Sequence, residues 1–234
     1  GHLPTIVIPE FIDTTVNGMQ YRLKVVEIGQ GAFENSSVLV NIHIAPTVQK
    51  IANNAFLNCA NLQLVEFLDG TIDTELWYIG NRAFEGAVSL AQIALPETVS
   101  YLGFSAFKGS ALTSIDLSGT AITEISPSAF KECTALQSVA LPDGLLEVGN
   151  EAFSGCTALT SVTLGAEIEF IGTHAFYYCA DNFTVTINAT EVPVFGQSYP
   201  FGTTRAGLVI RVPEALYTAY VAALSDYAAY FVAI

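Results

Sequence analysis

Four cysteines are the first candidates for chemistry, because thiolates bind metal ions and pair as disulfides. Cys133, Cys156 and Cys179 follow one another at intervals of 23 residues, and Cys59 holds the same place in its own segment. Other segments have a small residue at that place: Ser36, Ala87 and Ser110. Side chains stacked in register would keep their Cβ atoms about 5 Å apart, too far for a relaxed disulfide. The sequence contains no C-x-x-C pair, which is the spacing typical of zinc ligands. We therefore expect buried free thiols and no metal site.

The three histidines give no catalytic pattern. His2, His43 and His174 are far apart in sequence, and His43 lies between Ile42 and Ile44, which places it on the solvent side of a predicted strand. No H-E-x-x-H, no G-x-S-x-G and no phosphate-binding glycine loop occurs. The sequence therefore predicts a protein that is not an enzyme and uses no cofactor.

A second group of reactive side chains lies in LDGTIDTELWYIG, residues 68–80. This segment contains the single tryptophan, Trp77, next to Tyr78 and close to Asp73 and Glu75. An aromatic pair beside carboxylates could stack on a sugar ring, and the carboxylates could hold Ca²⁺. These four residues are therefore a candidate binding site, since insertions in repeat proteins map to loops that often bind. The competing expectation is structural: Trp77 folds back and fills an enlarged turn of the chain.

The element that must position these residues is a short internal repeat. The phrase I-G-x-x-A-F, with small variations, occurs seven times at intervals of 23 residues, apart from one interval of 28: Ile28–Phe33, Ile51–Phe56, Ile79–Phe84, Leu102–Phe107, Ile125–Phe130, Val148–Phe153 and Ile171–Phe176. An apolar pair flanking one variable residue follows each of the seven copies: Ile42/Ile44, Val65/Phe67, Ile93/Leu95, Ile115/Leu117, Val139/Leu141, Val162/Leu164 and Val185/Ile187. A degraded eighth copy joins Phe201 to Ile210 and Val212.

A unit of this length cannot bury its own apolar face, whereas stacked units can cover one another. The apolar pairs predict short strands, and a fixed period stacks them as a parallel ladder about 4.8 Å apart. SPSAFKEC predicts a short helical turn that begins at Ser126 and Pro127. The phenylalanines then form one internal column, with Phe107, Phe130 and Phe153 one above the next.

The residues between the inward pairs form an outward strand face, and this face is the first candidate for binding. It is mostly small and polar, and its candidate residues are Asn41, His43, Glu66, Gln92, Asp116, Thr163, Thr186 and Arg211. It has no cluster of Trp, Tyr or Arg, the residues that dominate tight interfaces. The two interpretations are a solvated sheet face and a broad, weak docking surface for a protein or a glycan.

Composition excludes several classes of partner. The chain has 234 residues and a formal net charge of −14, with eight scattered basic residues. This charge disfavours nucleic acid and anionic membrane surfaces. No run of 18 apolar residues is present, so no membrane insertion is expected. The chain begins at Gly1 without Met or an apolar leader, which predicts a mature sequence whose signal or lipid anchor lies outside it.

The pattern I-G-x-x-A-F-x-x-C-x-x-L-x-x-V-x-L-P at a 23-residue period resembles the BspA-like leucine-rich repeat family over residues 28–212. The resemblance implies an α/β leucine-rich-repeat solenoid, a right-handed superhelix with a parallel sheet of short strands on its concave face and short helical turns on the other side. It also implies an extracellular or cell-surface protein that adheres to a partner, such as a host or matrix protein. A glycan-binding module that uses loop aromatics such as Trp77 is the alternative.

The ends of such a solenoid need covers, because terminal turns expose apolar faces. We expect a degenerate strand and a hairpin over residues 1–27, with the hairpin turn at Asn17-Gly18. Seven repeats should follow over 28–187, with the insertion within 68–78, and a degenerate eighth over 188–212. A helix and a strand over 213–234 should form the C-terminal cap.

Overall fold

The computed structural model describes residues 5–68, 74–202 and 207–234. Asp73, one of the candidate residues, lies outside these ranges. The chain winds into a β-solenoid of about nine turns with parallel strands. Most turns, which we call coils, contribute one short strand to a side that we call the strand face. These strands are β1 (Thr5–Ile8), β5 (Asn41–Ile44), β7 (Leu64–Phe67), β10 (Ser114–Asp116), β12 (Ser138–Ala140), β14 (Ser161–Leu164), β16 (Thr184–Ile187), β18 (Val209–Val212) and β19 (Phe231–Ala233).

The fixed period keeps equivalent residues in register. Ile42 pairs with Val65 in one part of the strand face, and Val162 pairs with Val185 in another. Inside the solenoid, the phenylalanine rings stack with centroids 5.6 Å apart between Phe107 and Phe130 and 5.3 Å apart between Phe130 and Phe153. Their planes lie within 6° of parallel. The predicted column is therefore confirmed, and Phe201 extends it at 6.1 Å from Phe176.

A second ladder of two-residue strands forms around each I-G position. Its members are β4 (Glu27–Ile28), β6 (Lys50–Ile51), β8 (Tyr78–Ile79), β9 (Tyr101–Leu102), β11 (Glu124–Ile125), β13 (Glu147–Val148), β15 (Phe170–Ile171) and β17 (Val194–Phe195). The glycine in this region lets successive coils approach closely. A Cβ atom on Gly103 would lie 2.5 Å from backbone atoms of Gly80 and Asn81.

The segments predicted as short helical turns, including the one at Ser126 and Pro127, form consecutive tight turns instead. In the seven copies of I-G-x-x-A-F, the residues two before and two after the phenylalanine have positive φ, which a right-handed helix does not allow. For Phe130 these are Ser128 (φ 58°) and Glu132 (φ 62°). Alternate backbone N–H groups bond between coils and within the same coil: that of Phe130 donates to the carbonyl of Ala152 at 2.8 Å, whereas that of Ala129 donates to the carbonyl of Ser126 at 3.1 Å. The repeat period therefore places part of the backbone hydrogen bonding between coils, where a helix would keep all of it within the segment.

The cysteine column lies inside this framework, and all four thiols are buried and outside any disulfide bond. Each thiol donates to the carbonyl of the phenylalanine in the preceding coil, as Cys133 Sγ does to Phe107 O at 3.0 Å and Cys156 Sγ to Phe130 O at 3.1 Å. Burial raises the pKa of the Cys133 thiol to about 11 and that of Cys156 well above its ordinary value. The Cys133 and Cys156 thiols therefore stay protonated at neutral pH and contribute hydrogen bonds to the core.

The two ends of the chain differ from the coils. Near the N-terminus, β2 (Phe11–Val16) and β3 (Met19–Lys24) form an antiparallel hairpin around Asn17-Gly18. At the other end, a 3-10 helix (Glu214–Leu216), helix α1 (Tyr217–Ala223) and a second 3-10 helix (Ser225–Tyr230) lead to β19, which pairs with β18. Tyr220 is fully buried there, and its hydroxyl has no hydrogen-bond partner within the described part of the chain.

Candidate binding surface

The strand face is interrupted between β7 and β10. The coil between them is predicted to place Ile93 and Leu95 in a strand, but residues 91–96 form no strand, although Ile93 remains buried. In regular coils the residue after the strand donates its N–H to the preceding coil, as Leu68 does to Ile44 O at 2.9 Å. Pro96 holds the equivalent place and has no N–H to donate. Pro142 holds the same place after β12, which still pairs with β10, so the missing donor removes one hydrogen bond from this coil and does not by itself explain the break.

The break opens a groove of about 880 Å³ on the strand face. Leu64 to Phe67 form one side, Gln92 to Glu97 form the floor, and Ser114 to Thr120 contribute to the other side. A smaller groove of about 320 Å³ lies between β12 and β14, where the strand-face ladder is interrupted again. Both grooves therefore lie at interruptions of the strand-face ladder.

The larger groove is anionic and rich in hydroxyl groups. Glu66, Glu97 and Asp116 contribute carboxylates, and no lysine, arginine or histidine is among the described residues that line it. Asp116 accepts hydrogen bonds from Ser118 Oγ at 2.6 Å and from the Ser118 backbone N–H at 2.9 Å. These bonds lower the pKa of the Asp116 carboxyl and keep it ionised. Such a lining suits a ligand with positive charges and hydrogen-bond donors.

The eight strand-face residues divide among three places. Glu66, Gln92 and Asp116 line the larger groove. Asn41 and His43 lie beside β1 and β7: Asn41 Nδ2 donates to Thr5 Oγ1 at 3.3 Å, and His43 Nε2 is 3.2 Å from Glu66 Oε2. The remaining three, Thr163, Thr186 and Arg211, face one another in register on β14, β16 and β18. The structure therefore brings together three of the eight in one concave site.

Glu75 and Trp77, two of the candidate residues in the insertion, lie in environments that differ from each other. Glu75 accepts bonds from Gln49 Nε2 and Lys24 Nζ, both at 2.7 Å, and these contacts lower the pKa of its carboxyl. Trp77 does not fill the enlarged coil, because its side chain is 40% exposed and the neighbouring Leu76 is buried in its place. One face of the Trp77 ring is covered by Lys50 Nζ, 5.0 Å from a ring centroid.

Tyr78 extends the exposed aromatic surface along the second ladder. Its ring lies 5.4 Å from that of Trp77 in an edge contact and stacks on Tyr101 at 4.8 Å. Sequence reasoning did not single out Tyr101, although its place before the inward Leu102 indicates an outward side chain. Glu97 and Ser118, which line the groove, were not singled out from the sequence either. The available signals were Pro96, directly before Glu97, and the spacing Asp116-x-Ser118, which is typical of a local turn.

Two further properties follow from the described ranges. No group of three or more His, Cys, Asp or Glu side chains is arranged there to hold a metal ion. None of the helices in those ranges has both the length and the hydropathy needed to cross a lipid bilayer.

A parallel-strand solenoid with a buried phenylalanine column and grooves on its strand face defines a leucine-rich-repeat scaffold. The family model for the BspA type leucine rich repeat region matches six copies over residues 5–73 and 69–182. The chain therefore belongs to the BspA-type leucine-rich repeat family.

Solved bacterial structures share the fold. A leucine-rich repeat protein from Bacteroides ovatus is 24% identical, with a TM-score of 0.64 over 89% of this chain and 63% of its own. The leucine rich repeat protein TpLRR of T. pallidum is 26% identical, with a TM-score of 0.53 over 82% and 72%. A leucine rich cell surface protein from Faecalibacterium prausnitzii is 20% identical, with a TM-score of 0.59 over 89% and 68%. This chain thus spans less than two thirds of the B. ovatus protein. No functionally curated protein matches it.

Proposed function

We propose that the chain is a non-catalytic scaffold that binds a partner protein through the larger groove of its strand face, outside the cell or at its surface. The observation that carries this proposal is the groove itself, which interrupts the ladder and gathers Glu66, Gln92 and Asp116. A groove about 880 Å³ in volume is large enough for several side chains of an extended segment.

The charge of the groove defines the partner that we propose. The three carboxylates favour a segment rich in lysine and arginine, and they speed its association at low salt. One of them, Glu66, also lies 3.2 Å from His43 Nε2. The apolar part of the lining, including Leu64 and Ile93, would accept the stems of these long side chains. Adhesion to a host or matrix protein is the corresponding role, and members of this family typically act as scaffolds.

The experiment compares two variants of equal charge. Glu66→Gln/Glu97→Gln/Asp116→Asn removes the carboxylates of the groove, and Glu124→Gln/Glu147→Gln/Glu169→Gln removes three carboxylates elsewhere on the solenoid. Binding to purified matrix and host-surface proteins, and to a lysine-rich peptide, is measured by biolayer interferometry. We expect the groove variant to lose at least about tenfold in affinity and the control to bind as the unmodified chain does. Equal losses, or no binding by the unmodified chain, would contradict the proposal.

Location outside the cell is supported by the family and by the description of the F. prausnitzii neighbour as a cell surface protein. Protease treatment of intact cells that express the natural gene should remove the protein. Protection until lysis would contradict this location. The right-handed superhelix and the concave position of the strand face, which the family resemblance implies, stay predictions here.

Glycan binding near Trp77 is the second candidate, favoured by the exposed aromatic surface of Trp77 and Tyr101. Because Trp77 is the only tryptophan, its fluorescence reports directly on a sugar that stacks there. A glycan array is probed with the unmodified chain and with Trp77→Ala, with Val194→Ala as the control on the same ladder. Binding that is lost only in Trp77→Ala, together with a fluorescence change, would support this candidate. The absence of any bound glycan would eliminate it.

A further inference from the structure

The exposed apolar side chains of the protein are concentrated near its N-terminus. Nine of the large ones lie within 21 residues: Ile6, Val7, Phe11, Ile12, Val16, Met19, Tyr21, Leu23 and Val26. Scattered exposed apolar residues are normal on a protein surface, whereas a contiguous group marks an interaction surface.

Most of these residues belong to the hairpin of β2 and β3, which has two different faces. Alternation along a strand places directly paired residues on the same face. The apolar face consists of the pairs Ile12–Leu23, Thr14–Tyr21 and Val16–Met19. The polar face consists of the pairs Phe11–Lys24, Asp13–Arg22 and Thr15–Gln20. We call the first set the hairpin apolar face.

The polar face is exposed, and its Lys24 forms an ion pair with the solenoid. Lys24 Nζ contacts Glu75 Oε1 at 2.7 Å, and the Arg22 guanidinium lies 4.8 Å from the centroid of the Phe11 ring. The opposite face therefore points away from these contacts. Ile12, Val16, Met19, Tyr21 and Leu23 are between 41% and 60% exposed. Within the described residues, none of these side chains packs against the hydrophobic core.

Charge decides which partner fits this face. The first 26 residues contain Glu10 and Asp13 and also Arg22 and Lys24, so they carry no net charge, whereas the whole chain has a charge of −14. Two copies of a strongly acidic molecule repel each other over most of their surfaces. The hairpin is one region at which two copies can meet with little of this repulsion. A basic partner would be attracted less strongly to this neutral hairpin than to the acidic solenoid.

We propose that the hairpin apolar face is a homodimer interface, in which two copies pack these faces together about a two-fold axis. A two-stranded hairpin is marginally stable by itself and gains from a second layer. Two sheets packed face to face lie about 10 Å apart with their side chains interdigitated. A two-fold axis lets the same three pairs serve both copies and closes the assembly at two. This inference is independent of the groove.

The test measures the mass of the full chain in solution by sedimentation equilibrium. We expect a concentration-dependent change from 24.9 kDa to twice this mass. The dimer should tighten as salt is raised from low to physiological ionic strength, because screening weakens the repulsion between the acidic solenoids. A monomer at every concentration would overturn the proposal and assign the face to another protein. Association that continues beyond a dimer would overturn the two-fold arrangement.

Variants on the two faces locate the interface. Val16→Lys/Met19→Lys places two charges on the apolar face, and the control Thr15→Lys/Gln20→Lys places the same two charges on the polar face beside it. We expect the first variant to weaken dimerisation at least about tenfold and the control to dimerise nearly as the unmodified chain does.

A third variant, Tyr21→Thr/Leu23→Thr, removes apolar surface with a residue that favours strands, so the hairpin can still form. It should also weaken the dimer, while circular dichroism and Trp77 fluorescence stay those of the folded solenoid. Dimerisation that survives both apolar-face variants, or that the control abolishes equally, would overturn the proposal.

Discussion

At the scale of single residues, the cysteine column shows how a reactive group becomes a structural one. Cys133 is fully buried and donates its thiol proton to Phe107 O at 3.0 Å. Ser110 Oγ lies 3.4 Å from the same sulfur atom, which shows that a hydroxyl fits the neighbouring slot. The thiol therefore needs its proton to keep its place in the core.

This requirement predicts a loss of stability at alkaline pH. Below about pH 9 the Cys133 thiol is protonated in both the folded and the unfolded chain, so its contribution to the free energy of unfolding is fully present. Between pH 9.0 and about 11 the unfolded chain releases the proton and the folded chain retains it, which favours unfolding. The free energy of unfolding should fall by up to about 3 kcal/mol across this range.

Urea unfolding of the unmodified chain and of Cys133→Ser, measured between pH 8 and 11, checks this prediction. The variant should show a smaller decrease. A decrease of the same size would mean that Cys133 does not contribute to the pH dependence.

Tyr220 gives a second prediction at this scale. Its ring is fully buried, its hydroxyl has no partner within the described residues, and burial raises its pKa to about 12. Because an unpaired buried hydroxyl costs about 1–3 kcal/mol, Tyr220→Phe should raise the free energy of unfolding by about 1 kcal/mol. Urea unfolding measures the change, with Tyr217→Phe as the control. A destabilised Tyr220→Phe variant would indicate a hydrogen bond from this hydroxyl.

At the scale of elements, two glycines of one coil serve different purposes. Gly103 has backbone atoms of the preceding coil 2.5 Å from the place of a Cβ atom. Gly109 has no neighbour within 4 Å of that place, but its φ is +67°. The first glycine permits close approach, and the second permits a left-handed turn residue.

Alanine substitutions should therefore differ. Gly109→Ala should cost about 1–2 kcal/mol, because only the backbone conformation is strained. Gly103→Ala should cost more, because two coils must separate to admit the methyl group. Thermal and urea unfolding of both variants measure the difference. Equal costs would show that backbone conformation, and not contact between coils, governs both positions.

The elements also show how far the sequence predicts the structure. The 23-residue period predicts the phenylalanine column, the strand register and the outward position of Gln92 and Asp116. These features follow because all copies adopt the same conformation in one regular stack. The tight turns were missed because Ser128 and Glu132 adopt positive φ although their types do not favour it. The missing strand at residues 91–96 was not predicted, because the coil that contains Pro142 has the same pattern and keeps its strand β12. The groove lies at that break.

At the scale of the whole molecule, each coil contacts chiefly its neighbours, and the phenylalanine column joins them. Phe130 stacks on a ring on either side, whereas Phe33 stacks only on Phe56 and is half-buried. Stability in such a protein is approximately a sum over repeats and the interfaces between them. A change in the middle therefore weakens two interfaces, and a change at the end weakens one.

The corresponding prediction compares Phe130→Ala with Phe33→Ala. The central substitution should cost about 3–5 kcal/mol, as expected for truncation of a buried phenylalanine. The terminal one should cost clearly less, because its ring is partly exposed and has one stacking neighbour. Urea unfolding followed by circular dichroism gives both values. A terminal cost equal to the central one would contradict the additive description.

The break in the strand face has a mechanical consequence. Between β7 and β10 the coils remain joined by the turns and by the second ladder. Residues 91–96, however, form no strand and do not pair in the ladder of the strand face. We expect the solenoid to bend more easily at this interruption, and at the one between β12 and β14, than within the regular ladder. A partner bound across the break would restrict this bending, so that occupancy of the groove would make the whole solenoid stiffer.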